Sequence, residues 1–387
     1  MPLPLYLLAV AVFAMGTSEF MLAGLVPDIA ADLDVGVGTA GTLTSAFAVG
    51  MVVGAPLMAA LARNLPTRAS LLGCVLVFLA SHAAGAVTSS FAVLFATRVV
   101  AALANAGFLA VALTTAAALV PPDRKGRALA VLLSGTTVAT IAGVPGGSLL
   151  GTLLDWRATF WAVAALCLPA AAGILVGVPA RPGPRVPDAG PPLRAELARL
   201  GDRRLLTVML LGALVNAATF ASFTFLAPVV TGTAGLGELW VTVALVLFGA
   251  GSLTGVTVAG RLSDRRPGAV VAACAPALFL GWPALALLAD RPAALLLLVF
   301  AQGALSFAVG STLITRVLYA ASGAPTMAGS YATAALNTGA AAGPLVAATA
   351  LGTPAGATGP LWVSGGLVGA ALLVGAALGN PVSRPAT

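Results

Sequence analysis

A carboxylate lies inside a long apolar stretch near the start of the sequence. Glu19 follows Gly16, Thr17 and Ser18 within a run of mostly Leu, Ala, Val, Phe and Met that extends from about 5 to 26. A charged group in apolar surroundings costs several kcal/mol unless it is protonated, paired or in contact with water. Nothing in folding requires an acidic residue there, so Glu19 indicates function.

Arg98 is the cation that the sequence offers as a partner for Glu19. Each lies seven residues from the outer end of its predicted span, the first span for Glu19 and the fourth for Arg98. At about 1.5 Å per residue, both side chains should lie at one depth and can pair. Apolar surroundings favour the protonated form of the Glu19 carboxyl group, whereas a nearby Arg98 guanidinium group favours the carboxylate. Because these two effects oppose each other, substrate and proton can compete for this site. We predict that this pair couples proton flow to transport; an ion pair that only fixes the helix register is the alternative.

The composition is that of an integral membrane protein. Of the 387 residues, 59% are hydrophobic and 8% are charged, and the mean hydropathy is +1.05. Soluble domains carry about 25% charged residues. The apolar runs are continuous, which indicates transmembrane helices and not a transmembrane barrel. The net charge of +7 lies in short loops between the runs, so it does not predict nucleic-acid binding.

Few residues in this sequence are suited to enzyme or metal chemistry. The single histidine, His82, excludes a site with paired histidines, and Cys74, Cys167 and Cys274 lie in separate apolar segments. No phosphate-binding loop surrounds Lys125, the only lysine, and no GxSxG sequence is present. We predict no catalytic residue, no metal and no cofactor. His82 is either a proton relay or, as is more common, a neutral hydrogen-bonded residue.

Twelve apolar segments are each long enough to cross a bilayer, which needs about 20 residues. Six precede and six follow a segment rich in Pro, Gly and Arg. We therefore predict an N-terminal six-helix bundle at 1–178, a cytoplasmic linker at 179–204 and a C-terminal six-helix bundle at 205–387. The predicted spans lie at about 5–26, 39–62, 69–87, 91–120, 128–151, 158–178, 205–230, 239–260, 269–289, 293–319, 326–351 and 360–378.

The distribution of basic residues predicts the orientation in the membrane. Sixteen of the nineteen Lys and Arg residues fall on one side, in alternate loops, the linker and the C-terminal tail. Arg157 and Arg291 fall on the other side, and Arg98 lies within a span. Because positively charged loops stay on the cytoplasmic side, we expect both termini and the linker in the cytoplasm.

Two landmarks recur at nearly one spacing along the chain. The segment GVPGG at 143–147, in the fifth span, is matched by Gly343 and Pro344 in the eleventh, about 200 residues later. The loop segment that begins at Gly260 is matched by 59–65 after the second span, at an offset of about 201. These offsets predict a duplicated unit of six spans, and therefore two pseudo-symmetric bundles as in many secondary transporters.

These features resemble those of the major facilitator superfamily over essentially the whole chain. Four short motifs carry the resemblance: GTSEF at 16–20, Arg98 with Asn105 and Gly107, GVPGG at 143–147, and GRLSDRR at 260–266. The resemblance implies that the helix-five motif forms a close, kinked helix contact that closes the site on one face. Its residues are Gly143, Pro145, Gly146 and Gly147. Ordinary packing of small residues is the alternative.

The loop motif implies a gate. Gly260, Asp264 and Arg265 lie at a cytoplasmic helix junction, where the resemblance implies a salt bridge that stabilises the outward-facing state. A solvated cluster of loop charges is the alternative. The first-half loop departs from the family pattern because Arg63 stands where an acidic residue is expected. That departure argues against a gating salt bridge in the first half.

Amide and aromatic side chains near the middle of several spans are candidates for substrate binding. The amides are Asn105, Asn216, Gln302 and Asn337, and the aromatic residues are Phe220, Phe223 and Phe225. A largely apolar cavity with a few amides suits an uncharged aromatic drug, although hydrogen bonds between helices explain the amides equally well. Trp240, Trp282 and Trp362 lie near predicted helix ends as interfacial anchors do, which favours a drug over a sugar.

Three segments resemble a narrower group, the actinomycete chloramphenicol-resistance exporters: MGTSEFMLAGLVPDIA, RVVAALANAGFLAVALTTAAALVP and VLLSGTTVATIAGVPGGSLLG. The resemblance implies an all-α integral membrane protein of the bacterial plasma membrane that exports chloramphenicol or a related amphenicol in exchange for protons. Its partners are then the drug, protons and the lipid bilayer, and we expect a monomer. An exporter of sugars or other endogenous small metabolites is the alternative.

Overall fold

Helices form the regular structure in the described residues of the computed structural model, which are 2–61, 66–121, 125–178, 193–263, 267–324 and 327–377. Residues in an extended conformation set several of the helix boundaries. Pro66 and Ser90, for example, precede helices in an extended conformation that ends the preceding loop. The helices up to residue 178 are α1 Leu3–Phe20, α2 Val26–Asp32, α3 Val37–Leu61, α4 Thr67–Val87, α5 Phe91–Ala118, α6 Lys125–Val138, α7 Val144–Leu153 and α8 Trp156–Gly177.

A short helix at the end of the linker begins the second half of the chain. Asp202 is the N-cap residue of the long helix that follows, and its side chain accepts a hydrogen bond of 2.7 Å from the Arg204 backbone N–H. The helices of this half are α9 Leu193–Leu197, α10 Arg203–Thr224, α11 Leu226–Pro228, α12 Leu239–Ser263, α13 Pro267–Leu287, α14 Pro292–Ala320, α15 Ala328–Leu351 and α16 Gly359–Ala377.

Eleven helical segments in the described part of the chain are long and apolar enough to cross a membrane. The prediction of a multi-pass, α-helical membrane protein is therefore confirmed. The fifth predicted span is helical from Lys125 to Leu153, but a π-helical turn, Ala139–Gly143, separates α6 from α7, and neither piece alone has spanning length. The turn precedes Pro145, which has no N–H to continue the α-helical hydrogen bonds. The count of twelve spans remains a prediction.

The chain divides into two compact units, and the predicted bundle boundaries remain a prediction. The first unit is Met1–Leu22 with Ala46–Gly190, and the second is Ala23–Ser45 with Pro191–Thr387. In the first unit, α1 packs against α6 and α8, and α4 packs between α5 and α8. In the second unit, α12 packs along α14, and α10 contacts α15 and α16. The segment 23–45 belongs to the second unit, whereas the sequence placed it in the first bundle.

Glycines permit close helix contacts at matching places in the two units. A Cβ atom on Gly143 would overlap the Thr17 hydroxyl of α1, and a Cβ atom on Gly343 would overlap the Ala217 carbonyl of α10. The two glycines are about 200 residues apart, and so are their contacts, Thr17 and Ala217. One helix-to-helix contact is thus repeated at one offset, which supports the duplication predicted from the sequence.

The end of the linker is fastened to the second unit through Glu196. This side chain is fully buried, and its Oε2 accepts a hydrogen bond of 2.9 Å from the Met327 backbone N–H, which caps α15. Tyr331 donates from its hydroxyl group to the Glu196 carbonyl oxygen over 2.7 Å. Leu197 and Leu200 are exposed. The segment is therefore docked on α15 and is not a free tether.

Candidate functional site

The last turns of α1 carry the polar residues of the first unit's candidate site. Thr17 and Ser18 are buried and Glu19 is half-buried, and a 3-10 turn, Met21–Gly24, follows at once. These polar residues lie at the end of a helix whose other buried positions are almost all apolar, including Leu5, Leu8 and Met15. The polar groups must therefore find partners on neighbouring helices.

Arg98 is buried on α5, and its guanidinium group donates two hydrogen bonds to Ser18. One terminal nitrogen, Nη1, donates to the Ser18 hydroxyl oxygen over 2.7 Å, and the other, Nη2, donates to the Ser18 carbonyl oxygen over 2.7 Å. The Phe47 ring lies against the guanidinium group, with its centroid 4.5 Å from Cζ. This combination of two charge-assisted hydrogen bonds and a cation–π contact is how a buried guanidinium group is stabilised.

Glu19 lies next to this arrangement, and its charge interacts with that of Arg98. Among the described residues, however, the hydrogen bonds of Arg98 go to Ser18 and none goes to Glu19. The two residues predicted from the sequence are therefore brought together, with Ser18 as the direct contact of Arg98. The proton-coupling role of Glu19 and Arg98 remains a prediction.

His82 completes the cluster from α4. Its Nε2 lies 2.7 Å from the Ser18 hydroxyl oxygen, and its Nδ1 lies 2.8 Å from the Phe78 carbonyl oxygen. The imidazole is buried beside the Phe78 and Phe160 rings, with centroid distances of 4.2 and 5.7 Å. His82 was a candidate from its sequence alone, whereas Ser18 was not, although its place directly before Glu19 was a usable signal.

The helix-five motif contacts α1 beside the cluster. Gly143 faces Thr17, the residue before Ser18, so closely that no side chain fits between them. Gly147 lies near Thr159 of α8, whose hydroxyl group donates to the Gly147 carbonyl oxygen over 2.7 Å. A Cβ atom on Gly146, in contrast, would meet nothing within 4 Å. Pro145 begins α7 after the π turn. The motif therefore has two packed glycines and one open one.

This difference within one motif gives a prediction. Gly143→Ala should displace Thr17 and with it the neighbouring Ser18, so we expect a loss of about 1–3 kcal/mol in stability and a fall in the drug efflux that the sequence resemblance implies. Gly146→Ala is the matched control, because its methyl group enters open space and removes glycine from a helix, which is neutral or slightly stabilising. Thermal unfolding and cellular drug accumulation measure the two effects. Equal behaviour of the two variants would contradict the packed role of Gly143.

The predicted gate lies mostly outside the described residues. Gly260 belongs to α12, close to its C-terminal end, but Asp264 and Arg265 lie outside the described ranges, as does Arg63 in the first-half loop. The gating role of the loop motif remains a prediction from the resemblance.

The four candidate amides are distributed over both units. Asn105, in the first unit, donates to the Met51 sulfur over 3.6 Å. In the second unit, Asn216 donates to the Leu336 carbonyl oxygen over 2.7 Å and Gln302 to the Leu278 carbonyl oxygen over 3.2 Å, both across helix contacts. Asn337 donates within its own helix, to the Thr333 carbonyl oxygen. Three of the four amide donors therefore link neighbouring helices, and the donor of Asn337 does not. The substrate-binding role of the four amides remains a prediction.

Some polar atoms in this set are buried without a partner. Among the described residues, the side-chain oxygens of Asn105, Gln302 and Asn337 accept no hydrogen bond, and the Trp282 indole N–H donates none. Such a group costs about 1–3 kcal/mol when it is left unpaired, so its position needs an explanation. A ligand or water that binds there supplies one.

A small cavity in the second unit is lined by aromatic residues and by two of the residues that carry unpaired atoms, Trp282 and Gln302. Its lining includes Phe223, Phe248, Trp282 and Gln302, and the Phe223 and Phe248 ring centroids are 4.8 Å apart. Phe220 lies one helical turn away, 6.4 Å from Phe223. The surface that lines this cavity is apolar and largely aromatic, which is the kind of surface that an apolar part of a small molecule contacts.

The interpretation of Trp282 as an interfacial anchor was wrong. Trp282 is 2% exposed and lies inside the second unit, whereas Trp240 and Trp362 are 43% and 44% exposed, as anchors are. Distance from a helix end does not determine which face of the helix a residue occupies. Trp282 therefore no longer argues for a drug over a sugar.

The fold and the site together define a class of protein: a helical membrane protein whose first unit holds a cluster of ionisable side chains within its helices. The sequence profile of the Major Facilitator Superfamily matches residues 8–344. The chain therefore belongs to the Major Facilitator Superfamily.

Similar proteins agree with this assignment. The chain is 78% identical over 362 residues to a chloramphenicol resistance protein of Streptomyces lividans, covering 94% of this chain and 92% of that protein. It is 32% identical to the inner membrane transport protein YdhP of Escherichia coli (strain K12), with 90% of each chain covered. A bacterial homolog of the human lysosomal transporter Spinster, solved in an inward-facing and unoccupied conformation, shares the fold with a TM-score of 0.76 at 17% identity, covering 99% of this chain and 96% of that one.

Proposed function

We propose that this protein is a proton-coupled exporter of chloramphenicol or a closely related amphenicol, and that it confers resistance to the drug. The observation that carries the proposal is the 78% identity, over nearly the full length of both proteins, to a relative named as a chloramphenicol resistance protein. Family membership supports the transport function. The half-buried Glu19 and the buried Ser18, Arg98 and His82 support coupling to protons, since ionisable groups within a membrane are unfavourable and usually have a function.

The proposal includes the finer architecture of the family. Twelve membrane helices form two six-helix bundles, with α6, the π turn and α7 as one interrupted span. The protein is a monomer in the bacterial plasma membrane, with both termini in the cytoplasm. The duplicated contacts of Gly143 and Gly343 support the two bundles, and the excess of basic residues on one side supports the orientation.

In the proposed mechanism, Glu19 exchanges a proton with the outside and releases it to the cytoplasm when the drug leaves in the opposite direction. One elementary charge that crosses a membrane potential of about 100 mV releases about 2.3 kcal/mol. That free energy sustains a drug gradient of roughly 40-fold per proton, which is enough to protect a cell from a slowly entering drug.

Drug accumulation in a sensitive bacterial host tests the proposal. Cells that express the protein should hold less labelled chloramphenicol than empty cells, and a protonophore should abolish the difference. If drug accumulation stays low when the protonophore is present, export does not depend on the proton gradient, and the proposal of proton coupling is wrong. Accumulation equal to that of empty cells, with the protein present in the membrane, would exclude chloramphenicol and direct the search to sugars and other metabolites.

The unpaired indole of Trp282 gives a prediction about drug binding. Trp282→Phe keeps an aromatic ring in the cavity but removes the N–H group, so the half-saturating drug concentration should rise about fivefold with an unchanged maximal rate. Trp362→Phe is the matched control because Trp362 is exposed on α16. An unchanged half-saturating concentration in Trp282→Phe would show that the cavity does not bind the drug.

A further inference from the structure

The Ser18 hydroxyl group is the centre of a hydrogen-bond chain that crosses three helices of the first unit. It lies 2.7 Å from Arg98 Nη1 on α5 and 2.7 Å from His82 Nε2 on α4. The other imidazole nitrogen, Nδ1, lies 2.8 Å from the Phe78 carbonyl oxygen. Ser18, His82 and Arg98 are all buried, so water does not compete for these bonds.

The chemistry of the end groups fixes the direction of the chain. A guanidinium group can only donate, so the Ser18 hydroxyl oxygen accepts from Arg98. A backbone carbonyl oxygen can only accept, so His82 Nδ1 carries a hydrogen atom and donates to Phe78. Nε2 of the neutral imidazole is then an acceptor, and the Ser18 hydroxyl group donates to it.

The groups around His82 favour the neutral imidazole. Within the part of the chain that the structure describes, the charged groups near it are Arg98 from α5, which shares the Ser18 hydroxyl group with it, and Glu19, the residue after Ser18 on α1. From α8 it meets the Phe160 ring, while Arg157 is turned to the end of α4, where it donates to the Thr88 carbonyl oxygen. A second cation beside Arg98 in these apolar surroundings is unfavourable.

We propose that His82 is a positioning residue for the coupling site: by accepting the Ser18 hydroxyl hydrogen, it aims the lone pairs of Ser18 at Arg98 and holds the guanidinium group on Ser18. The Glu19 carboxyl group is then left without a direct salt bridge and is open to proton exchange. This inference rests on the proposed function, because positioning matters only if Glu19 exchanges protons.

Positioning and proton relay make different demands on residue 82. A relay must gain and lose a proton at each turnover, whereas a positioning residue needs only an acceptor atom where Nε2 lies. Glutamine can place an amide oxygen near that point but cannot titrate. Phenylalanine keeps the contacts with Phe78 and Phe160 but offers no acceptor. The pair His82→Gln and His82→Phe therefore separates the two roles.

The first test does not depend on transport. Because His82 is the only histidine, protein labelled with 15N-histidine and embedded in lipid nanodiscs gives the NMR signals of one imidazole. We expect the neutral form with its hydrogen atom on Nδ1, and Ser18→Ala should move the Nε2 resonance. A hydrogen atom on Nε2, a doubly protonated ring at neutral pH, or an Nε2 resonance that ignores Ser18→Ala would overturn the proposal.

The second test measures labelled chloramphenicol in proteoliposomes, as efflux driven by a proton gradient and as drug exchange at equilibrium. His82→Phe should lower the maximal rate of driven efflux about tenfold, with little change in exchange or in the half-saturating concentration, and His82→Gln should restore most of the driven rate. Equal loss in both variants would indicate a relay, and no loss in either would indicate packing alone; each result overturns the proposal.

Two controls keep these conclusions separate. If His82→Phe does not yield folded protein, Ser18→Ala decides, since it removes the same link and should also lower driven efflux more than exchange. If the wild-type protein exports no chloramphenicol, the proposed function is wrong. The NMR experiment would still show whether the hydrogen-bond chain is present.

Discussion

Glu19→Gln is expected to abolish proton-driven drug export, so that cells with this variant accumulate as much labelled chloramphenicol as empty cells. Glutamine has nearly the size of protonated glutamate and fits the half-buried position of Glu19. It cannot release a proton, however, and the exchange cycle stops at that step. Drug exchange at equilibrium needs no proton release and should persist, which separates a coupling defect from a folding defect.

Asp28→Asn is the matched control for this variant. Asp28 lies in α2, a few residues beyond Glu19 along the chain but outside the membrane-spanning helices, where burial and the nearby Glu238 carboxylate raise its pKa. Loss of this charge should leave driven efflux unchanged, since Asp28 has no place in the cluster around Arg98. If Glu19→Gln still exports the drug against a gradient, the protein remains a transporter but Glu19 is not its coupling residue.

Residues out of place in their surroundings were predictable from the sequence. Glu19 and Arg98 stand out because a charge inside an apolar run is unfavourable, and the runs themselves give the helices because a bilayer sets their length. The contact between them was not predictable. Depth along two helices can be counted from the sequence, but rotation about each helix axis cannot, and that rotation brings Arg98 onto Ser18 rather than directly onto Glu19.

The same limit explains two other differences. Trp282 lies near a predicted helix end but on an inward face, so its sequence position suggested an anchor while packing made it part of a cavity. Pro145 predicted a kink, and the structure resolves that kink as a π turn before the proline. His82 makes hydrogen bonds through both ring nitrogens, and the choice between a proton relay and a neutral hydrogen-bonded residue remains a prediction.

Arg98→Lys should impair the protein even though it keeps the positive charge. The guanidinium group uses two separate nitrogens to reach the Ser18 hydroxyl and carbonyl oxygens, and its flat face lies against the Phe47 ring. A lysine side chain carries one ammonium nitrogen on a flexible chain, so it cannot make the same two hydrogen bonds from separate nitrogens. We expect a loss of about 2 kcal/mol in stability, the value of one hydrogen bond to a charged group, and a fall of at least about tenfold in driven efflux.

Arg157→Lys is the matched control for Arg98→Lys. Arg157 also lies against an aromatic ring, with its Cζ atom 4.4 Å from the centroid of the Trp156 ring, and it also donates to a backbone carbonyl oxygen, that of Thr88. Unlike Arg98, it lies at the N-terminal end of its helix, α8. Its replacement by lysine should change thermal unfolding and efflux little. If Arg98→Lys has an equally small effect, a positive charge near Glu19 is sufficient for proton exchange. The two hydrogen bonds from the guanidinium group to Ser18 are then not required.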